Sequence, residues 1–318
     1  FWRPVDFAIA HGDVLYVVNR GTMDLRDFMS YKRITVCTLD DQYLGDISSG
    51  GSNDGQIMWP SSIAIDSNDN LYVSDEALQR ITIMDKKGRF LSKWGTQGDK
   101  EGEFNRPASI VFDKQENLLI VDALNDRIQK YTKAGQFLSQ WGHSGTNDGE
   151  FNMPWGIATD SAENIYVSDW RNDRIQKFDP HGGHISTWGE SGSGDGQFYR
   201  PAGLDIDDEG NIFIADWGNE RVQILNSNGE YLTQFSGESG LSQWAKDWFA
   251  SDHIDLLKER EKSNMEPPLD PPLGEFFRNE PAGIEKLFWA PSTVKVDTQG
   301  NVYVVDTCRH RIQVYRNN

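Results

Sequence analysis

Residues 164–178 read NIYVSDWRNDRIQKF, two short runs of β-branched and aromatic residues flanking a polar DWRND turn. Nearly the same phrase stands at 70–84 (NLYVSDEALQRITIM), 117–131 (NLLIVDALNDRIQKY), 211–225 (NIFIADWGNERVQIL) and 301–315 (NVYVVDTCRHRIQVY). Recurrence at a fixed period is the mark of a repeat architecture, in which one supersecondary unit is copied and stacked. Aligned on the proline that opens each unit, Pro60, Pro107, Pro154 and Pro201 lie 47 residues apart. A fifth good copy opens at Pro291, and a degenerate one opens at Pro4 with Ala10, Asn19 and Arg33 in the matching places.

Within a unit, PWGIATD, NIYVSD, RIQKF and HISTWG read as strands bounded by Gly, Asn, Asp or Pro, and no helix fits. Four short antiparallel strands per repeat predict the blade of a β-propeller, an all-β fold that hides its sheet edges by radial repetition. Six copies predict six blades, starting near residues 4, 60, 107, 154, 201 and 291 of a single domain spanning 1–318. Trp94, Trp141 and Trp188 share one position in the repeat, which predicts packing between blades.

The recurring phrase P-x-G-[IL]-x-x-D-x-x-x-N-[IL]-[YF]-[VI]-x-D-x-x-N-x-R-[IV]-Q resembles the NHL repeat, and the lead-in Gly192 to Phe198 (GSGDGQF) is similar to that family's linker. The resemblance covers nearly the whole chain and implies a six-bladed ring. It also implies distant kinship with the peptidyl-α-hydroxyglycine amidating lyases and the gluconolactonase-type propellers. The former hold a catalytic zinc with histidines of the inner strands, yet PSSIAID, PASIVFD, PWGIATD, PAGLDID and PSTVKVD contain none. For the Glu/Asn/Asp metal cluster of the latter, only Asp205 and Asp6 stand near matching places.

The 318 residues provide enough apolar content for a large core, and no apolar run approaches the roughly 18 residues that span a bilayer. A soluble, acidic protein is expected. A net charge of −18 and a pI near 4.7 repel phosphate backbones, which argues against nucleic acid as a partner. Cys37 and Cys308 match no zinc spacing and read as free thiols. Phe1-Trp2-Arg3-Pro4 repeats the F-x-x-P lead-in of the other units, and the chain stops after the third strand RIQVY of the sixth. The outer strand of blade 6 is therefore expected to come from outside these residues. A removed secretory segment fits this, and favours a secreted or periplasmic location over a cytoplasmic one.

Two departures from the period mark where function is grafted. Pro4 and Pro60 are 56 residues apart, with the surplus in RGTMDLRDFMSYK, and Pro201 and Pro291 are 90 apart. The longer insertion, 237–290, begins with a stretch whose Leu241, Trp244, Trp248, Phe249, Leu256 and Leu257 are spaced for an amphipathic helix; MEPPLDPPLGEFF follows as an extended strap. The turn after strand two and the linker before the next blade open on one face. The insertion is therefore expected to form a lid over the axial opening there, with Trp244, Trp248 and Phe249 buried against Trp170 and Trp217.

That face carries the candidate ligand-binding residues Arg20, Glu76, Arg106, Trp155, Trp170, Arg171, Arg200, Trp217, Arg309 and His310. Arg and Trp are the residue types most often found as binding anchors, and converging arginines make an anion-attracting mouth on an acidic chain. In the channel, Asp205 and Lys295 occupy the same position of neighbouring blades, and Asp6 adds a third charge. The Asp/Arg pair repeated in every good blade, such as Asp169 with Arg174, reads as structural because an active site is needed once. His181 and His184 are the only histidines close in sequence, and the Asp-Gly loops at Asp54, Asp148 and Asp195 lack calcium-loop spacing. No catalytic set is discernible. The expectation is a non-catalytic propeller recognising a protein, peptide or small ligand at the lidded face, without a resident cofactor. The alternative is a metal-dependent lyase or hydrolase with an atypical zinc or calcium site.

Overall fold

In the computed structural model, residues 1–21, 31–238, 240, 241, 243–263 and 284–316 are described, apart from the side chains of 243, 244 and 252. Each of the six units forms an antiparallel sheet in chain order. Blade 4 is representative: Pro154–Thr159, Ile165–Asp169, Arg174–Phe178 and His184–Trp188 pair in succession. The unit at Pro4 has lost much of the repeat's wording but still makes four strands, Pro4–Ala10, Val14–Asn19, Arg33–Thr38 and Tyr43–Ile47. Among the described residues blade 6 has three, ending with Arg311–Tyr315.

First strands of successive blades touch one another all the way round, and Pro291–Val296 meets Pro4–Ala10 to close the ring. Burial follows from this radial order. Second strands such as LYVSD and IYVSD are sandwiched between neighbouring blades and buried at every position, whereas outer strands such as Phe90–Trp94 are largely exposed. The outer-strand tryptophans pack between blades, as expected. Trp94 lies 5.0 Å from Tyr131 of blade 3, centroid to centroid. Trp188 sits so close over Gly229 of blade 5 that a Cβ there would fall 2.0 Å from the indole, at a backbone φ of +82° that itself favours glycine.

In blades 2 to 6 the repeated Asp and Arg staple the blade to the linker that leads into it. Asp169 Oδ1 accepts the Asn152 N–H at 2.8 Å, while Oδ2 accepts from Asn172 Nδ2, Arg174 Nε and Gln176 Nε2. Arg174 in turn donates to the carbonyls of Thr146, Asn147 and Glu150. Blades 3 and 5 repeat this network through Asp122/Arg127 and Asp216/Arg221. In blade 1 the asparagine Asn19 replaces the aspartate and still accepts the Trp2 N–H.

The long insertion forms two helices, α1 (Gln243–Asp252) and α2 (Ile254–Lys262), separated at His253, where a single helix was expected. Trp248 is 39% exposed, stacks on His253 at 3.8 Å and meets Phe249 edge-on at 5.1 Å. The expectation that Trp248 buries against Trp170 and Trp217 is corrected: its aromatic partners lie within its own helical segment. The side chain of Trp244, the Pro-rich stretch 264–283 and most of the blade 1 surplus, 22–30, lie outside the described residues. At the base of the insertion Phe288 N–H donates to Ser236 O at 2.7 Å, and Lys286 O lies 2.3 Å from where a Gly237 Cβ would be. Its two ends therefore lie side by side. Phe288 is fully buried at the place that Phe104, Phe151 and Phe198 hold in other linkers.

Candidate functional site

Five blades are entered through a left-handed residue just before the proline: Arg3, Arg106, Met153, Arg200 and Ala290, with φ between 51° and 62°. A β-carbon in that region is costly, and the cost is offset by a latch from the preceding blade. Gln79, Asp126, Asp173 and Glu220 accept the N–H of Arg106, Met153, Arg200 and Ala290 respectively. At the ring closure His310 takes this role, its Nδ1 accepting the Arg3 N–H at 2.8 Å with the ring 5.4 Å from Trp2. Of the candidate binding residues, His310 is therefore engaged in joining blade 6 to blade 1.

A neutral imidazole is required for that bond, and partial burial together with nearby positive charge lowers the His310 pKa. The folded state thus releases this proton more readily than the unfolded chain, and its contribution to stability is present above the ordinary value of about 6.5 and lost as pH falls toward the lowered value. We expect wild-type stability to drop slightly between about pH 7.5 and 5 relative to His310→Gln, which keeps an acceptor and does not titrate. Urea midpoints at both pH values measure this; parallel profiles would show that the latch does not titrate. The imidazole keeps much of its contact with water, so the effect is small.

The prolines and the turns after the second strands surround one axial mouth of about 260 Å3, lined by Arg3, Arg20, Ser61, Trp155, Trp170, Trp217 and Cys308 among others. Four of the candidate residues, Arg20, Trp155, Trp170 and Trp217, are thus brought together from three blades. Trp170 and Trp217 stand 6.1 Å apart, and the Arg200 guanidinium lies 4.8 Å over the Trp170 ring, with Arg171 at 6.0 Å. Arg309 faces away toward the insertion, donating to Ile284 O and lying 5.8 Å from the Trp289 ring. Arg3 escaped the sequence reading, although its place before the proline matches that of Arg106 and Arg200.

Glu76 does not face the opening. Its side chain is fully buried, with one carboxylate oxygen paired to Arg20 and the other to Arg106 Nε at 2.8 Å. Arg20 also donates to Pro60 O, and burial with the neighbouring Arg106 charge lowers its pKa. Lys32, buried beneath, donates to Arg20 O, and burial brings its pKa down to about 8. The mouth is cationic, but less than a count of its arginines suggests.

In the channel Lys295 pairs with Asp6 at 3.1 Å and donates to Phe7 O. Asp6 also accepts from Ser62 Oγ and from the Phe7 and Ile63 N–H groups. Asp205 stands apart, and burial raises its carboxyl to about 6. His184 hydrogen-bonds Thr187, and His181 sits in a turn fixed by Asp179. Among the described residues no group of three His, Cys, Asp or Glu is placed to hold a metal, and neither Cys37 nor Cys308 forms a disulfide.

The model of a 6-bladed β-propeller family matches residues 11–147, and the NHL repeat model matches 151–178, 198–225 and 288–315. The chain belongs to the NHL-repeat six-bladed β-propellers. No curated protein sequence matches it. Among solved structures, this NHL propeller is similar to a protein of unknown function from Bacteroides thetaiotaomicron (17% identity, TM-score 0.63, covering 99% of this chain and 70% of that one). It is also similar to virginiamycin B lyase from Staphylococcus aureus (11%, 0.56, 98% and 84%) and to hydrazine synthase from Kuenenia stuttgartiensis (11%, 0.56, 99% and 95%). At these identities the likeness is one of fold. Among the described residues no helix is long and apolar enough to cross a membrane.

Proposed function

We propose that this NHL propeller is a binding module whose insertion-bearing mouth takes one flat, anionic group: a small aromatic acid, or the terminal residue of a peptide. The reading rests on the convergence of Trp155, Trp170 and Trp217 with Arg3 and Arg20 around a single opening. Indole faces supply stacking area, and guanidinium groups match a carboxylate in charge and geometry. The volume suits one such group and is too small for a large substrate. The lid-like placement of 237–290 remains part of this proposal, with Arg260 of α2 paired to Glu285 at the base of the insertion.

Phenylacetate is the probe. Saturable quenching of tryptophan fluorescence is expected, weakened at least about tenfold by Trp170→Ala and by Arg3→Gln, the loss of roughly 1.4 kcal/mol or more. Binding that ignores both substitutions would refute the assignment of the mouth. A stoichiometric metal in purified protein would instead favour the lyase or hydrolase reading.

A further inference from the structure

The opposite end of the channel carries a second opening that the mouth does not use. It is a well of about 530 Å3 whose wall includes the half-buried apolar side chains Ile9, Leu39, Ile65 and Phe112, contributed by blades 1, 2 and 3. Asp205 of blade 5 and Lys295 of blade 6 lie in the same wall.

Asp13 and Asp297 stand at its rim, and Lys295 and Asp205 differ in how they are satisfied. Lys295 is engaged: Asp6 holds it at 3.1 Å, Phe7 O accepts from it, and it lies 5.1 Å from the centre of the Phe7 ring. Asp205 accepts only two backbone N–H groups, from Ile206 at 3.0 Å and from Val296 at 2.9 Å. Among the described residues it makes no ion pair. A carboxylate has about four acceptor sites, so roughly half of its capacity faces the well. Lys295 pairs directly with Asp6 and attracts Asp205 only through space, so Asp6, Asp205 and Lys295 together carry one net negative charge, which is costly in partly apolar surroundings without a further cation. A hard metal ion takes six or more oxygen ligands, and one carboxylate does not supply them. An ammonium needs far fewer.

We propose that this well binds an organic amine, an ammonium head seated on Asp205 with an apolar body against Ile9, Ile65 and Phe112. The head supplies donors to the free lone pairs of Asp205, and the body covers side chains otherwise left half in water. A free small amine and a lysine side chain of another protein share this chemistry.

Calorimetric titration of the whole chain with phenethylamine tests the site, with Nα-acetyl-lysine methylamide as the second arm. Saturable binding in the millimolar range is expected for at least one of them, and the tighter arm names the source. Phenethyl alcohol, which keeps the body and lacks the charge, is expected to bind at least about tenfold more weakly, as is phenethylamine to Asp205→Asn. Ala64→Trp, which fills the well and keeps Asp205, is expected to abolish binding in a chain whose folding is checked by circular dichroism. Trp170→Ala on the other face is expected to leave amine binding unchanged, so this proposal and that for the mouth fail separately. Absence of saturable binding by both amines, or binding indifferent to both Asp205→Asn and Ala64→Trp, overturns it.

Discussion

Replacing Asp169 by alanine is expected to lower the unfolding free energy by about 3–5 kcal/mol, the usual consequence of stranding a buried charge. Asp169 is inaccessible and accepts from the Asn152 N–H, Asn172, Arg174 and Gln176. Its removal leaves the buried Arg174 guanidinium with carbonyl partners and no counter-charge, and it frees the linker that Arg174 holds at Thr146, Asn147 and Glu150. Burial alone raises the Asp169 pKa, so the favourable contacts do no more than offset desolvation while the pair is intact. The large effect is the cost of breaking the pair. Urea unfolding of the variant measures it, and a loss under about 1 kcal/mol, the range of an exposed pair, would show that the staple is dispensable.

The second large effect is expected at Glu76, where alanine should cost about 2–4 kcal/mol, less than a fully buried pair because Arg20 and Arg106 keep some solvent contact. Its carboxylate joins Arg20 of blade 1 to Arg106 at the entrance of blade 3. Glu76→Gln keeps the shape and removes the charge, so it should destabilise less. Both variants make the mouth more cationic, and phenylacetate should bind Glu76→Gln more tightly than wild type. Unchanged urea midpoints for both would mean that the arginines find other partners, and weaker phenylacetate binding would contradict an anion-selective mouth.

The blades were legible because the repeat keeps a strict 47-residue register from Pro60 to Pro201, and a period is preserved only where each copy packs in the same way. Recurrence also marked Asp169 and Arg174 as structural, which their hydrogen bonds bear out. The inner arrangement of the mouth was less legible. Arg20, Glu76 and Arg106 are far apart in sequence and meet only when three blades are set side by side, so nothing in the neighbourhood of Glu76 marks it as a buried counter-ion. His310 read as a candidate ligand group because it falls in the turn after strand two, on the face that carries the insertion. Its place in the repeat, shared with Gln79, Asp126, Asp173 and Glu220, carried the signal that it latches one blade to the next. Asp6, Asp205 and Lys295 read as inner-strand charges, but which acid holds the lysine depends on side-chain reach across a blade boundary. The helical spacing of Trp248 and Phe249 was legible too, whereas their partners were not: His253 ends α1 and folds back onto the Trp248 ring.

The bond from Phe288 to Ser236, with Gly237 against Lys286 O, turns the long insertion into an interchangeable cassette. The ring registers only the clasped base, since Arg311 reaches the carbonyls of Glu285, Lys286 and Leu287 much as its counterparts reach shorter linkers. Lengthening a loop closed at its base costs little, because closure entropy grows only with the logarithm of its length. Selection can therefore rewrite what lies between Ser236 and Phe288 with little effect on the stability of the blades, and a segment grafted there would leave from the end of the outer strand Tyr231–Phe235 without redesign of the scaffold.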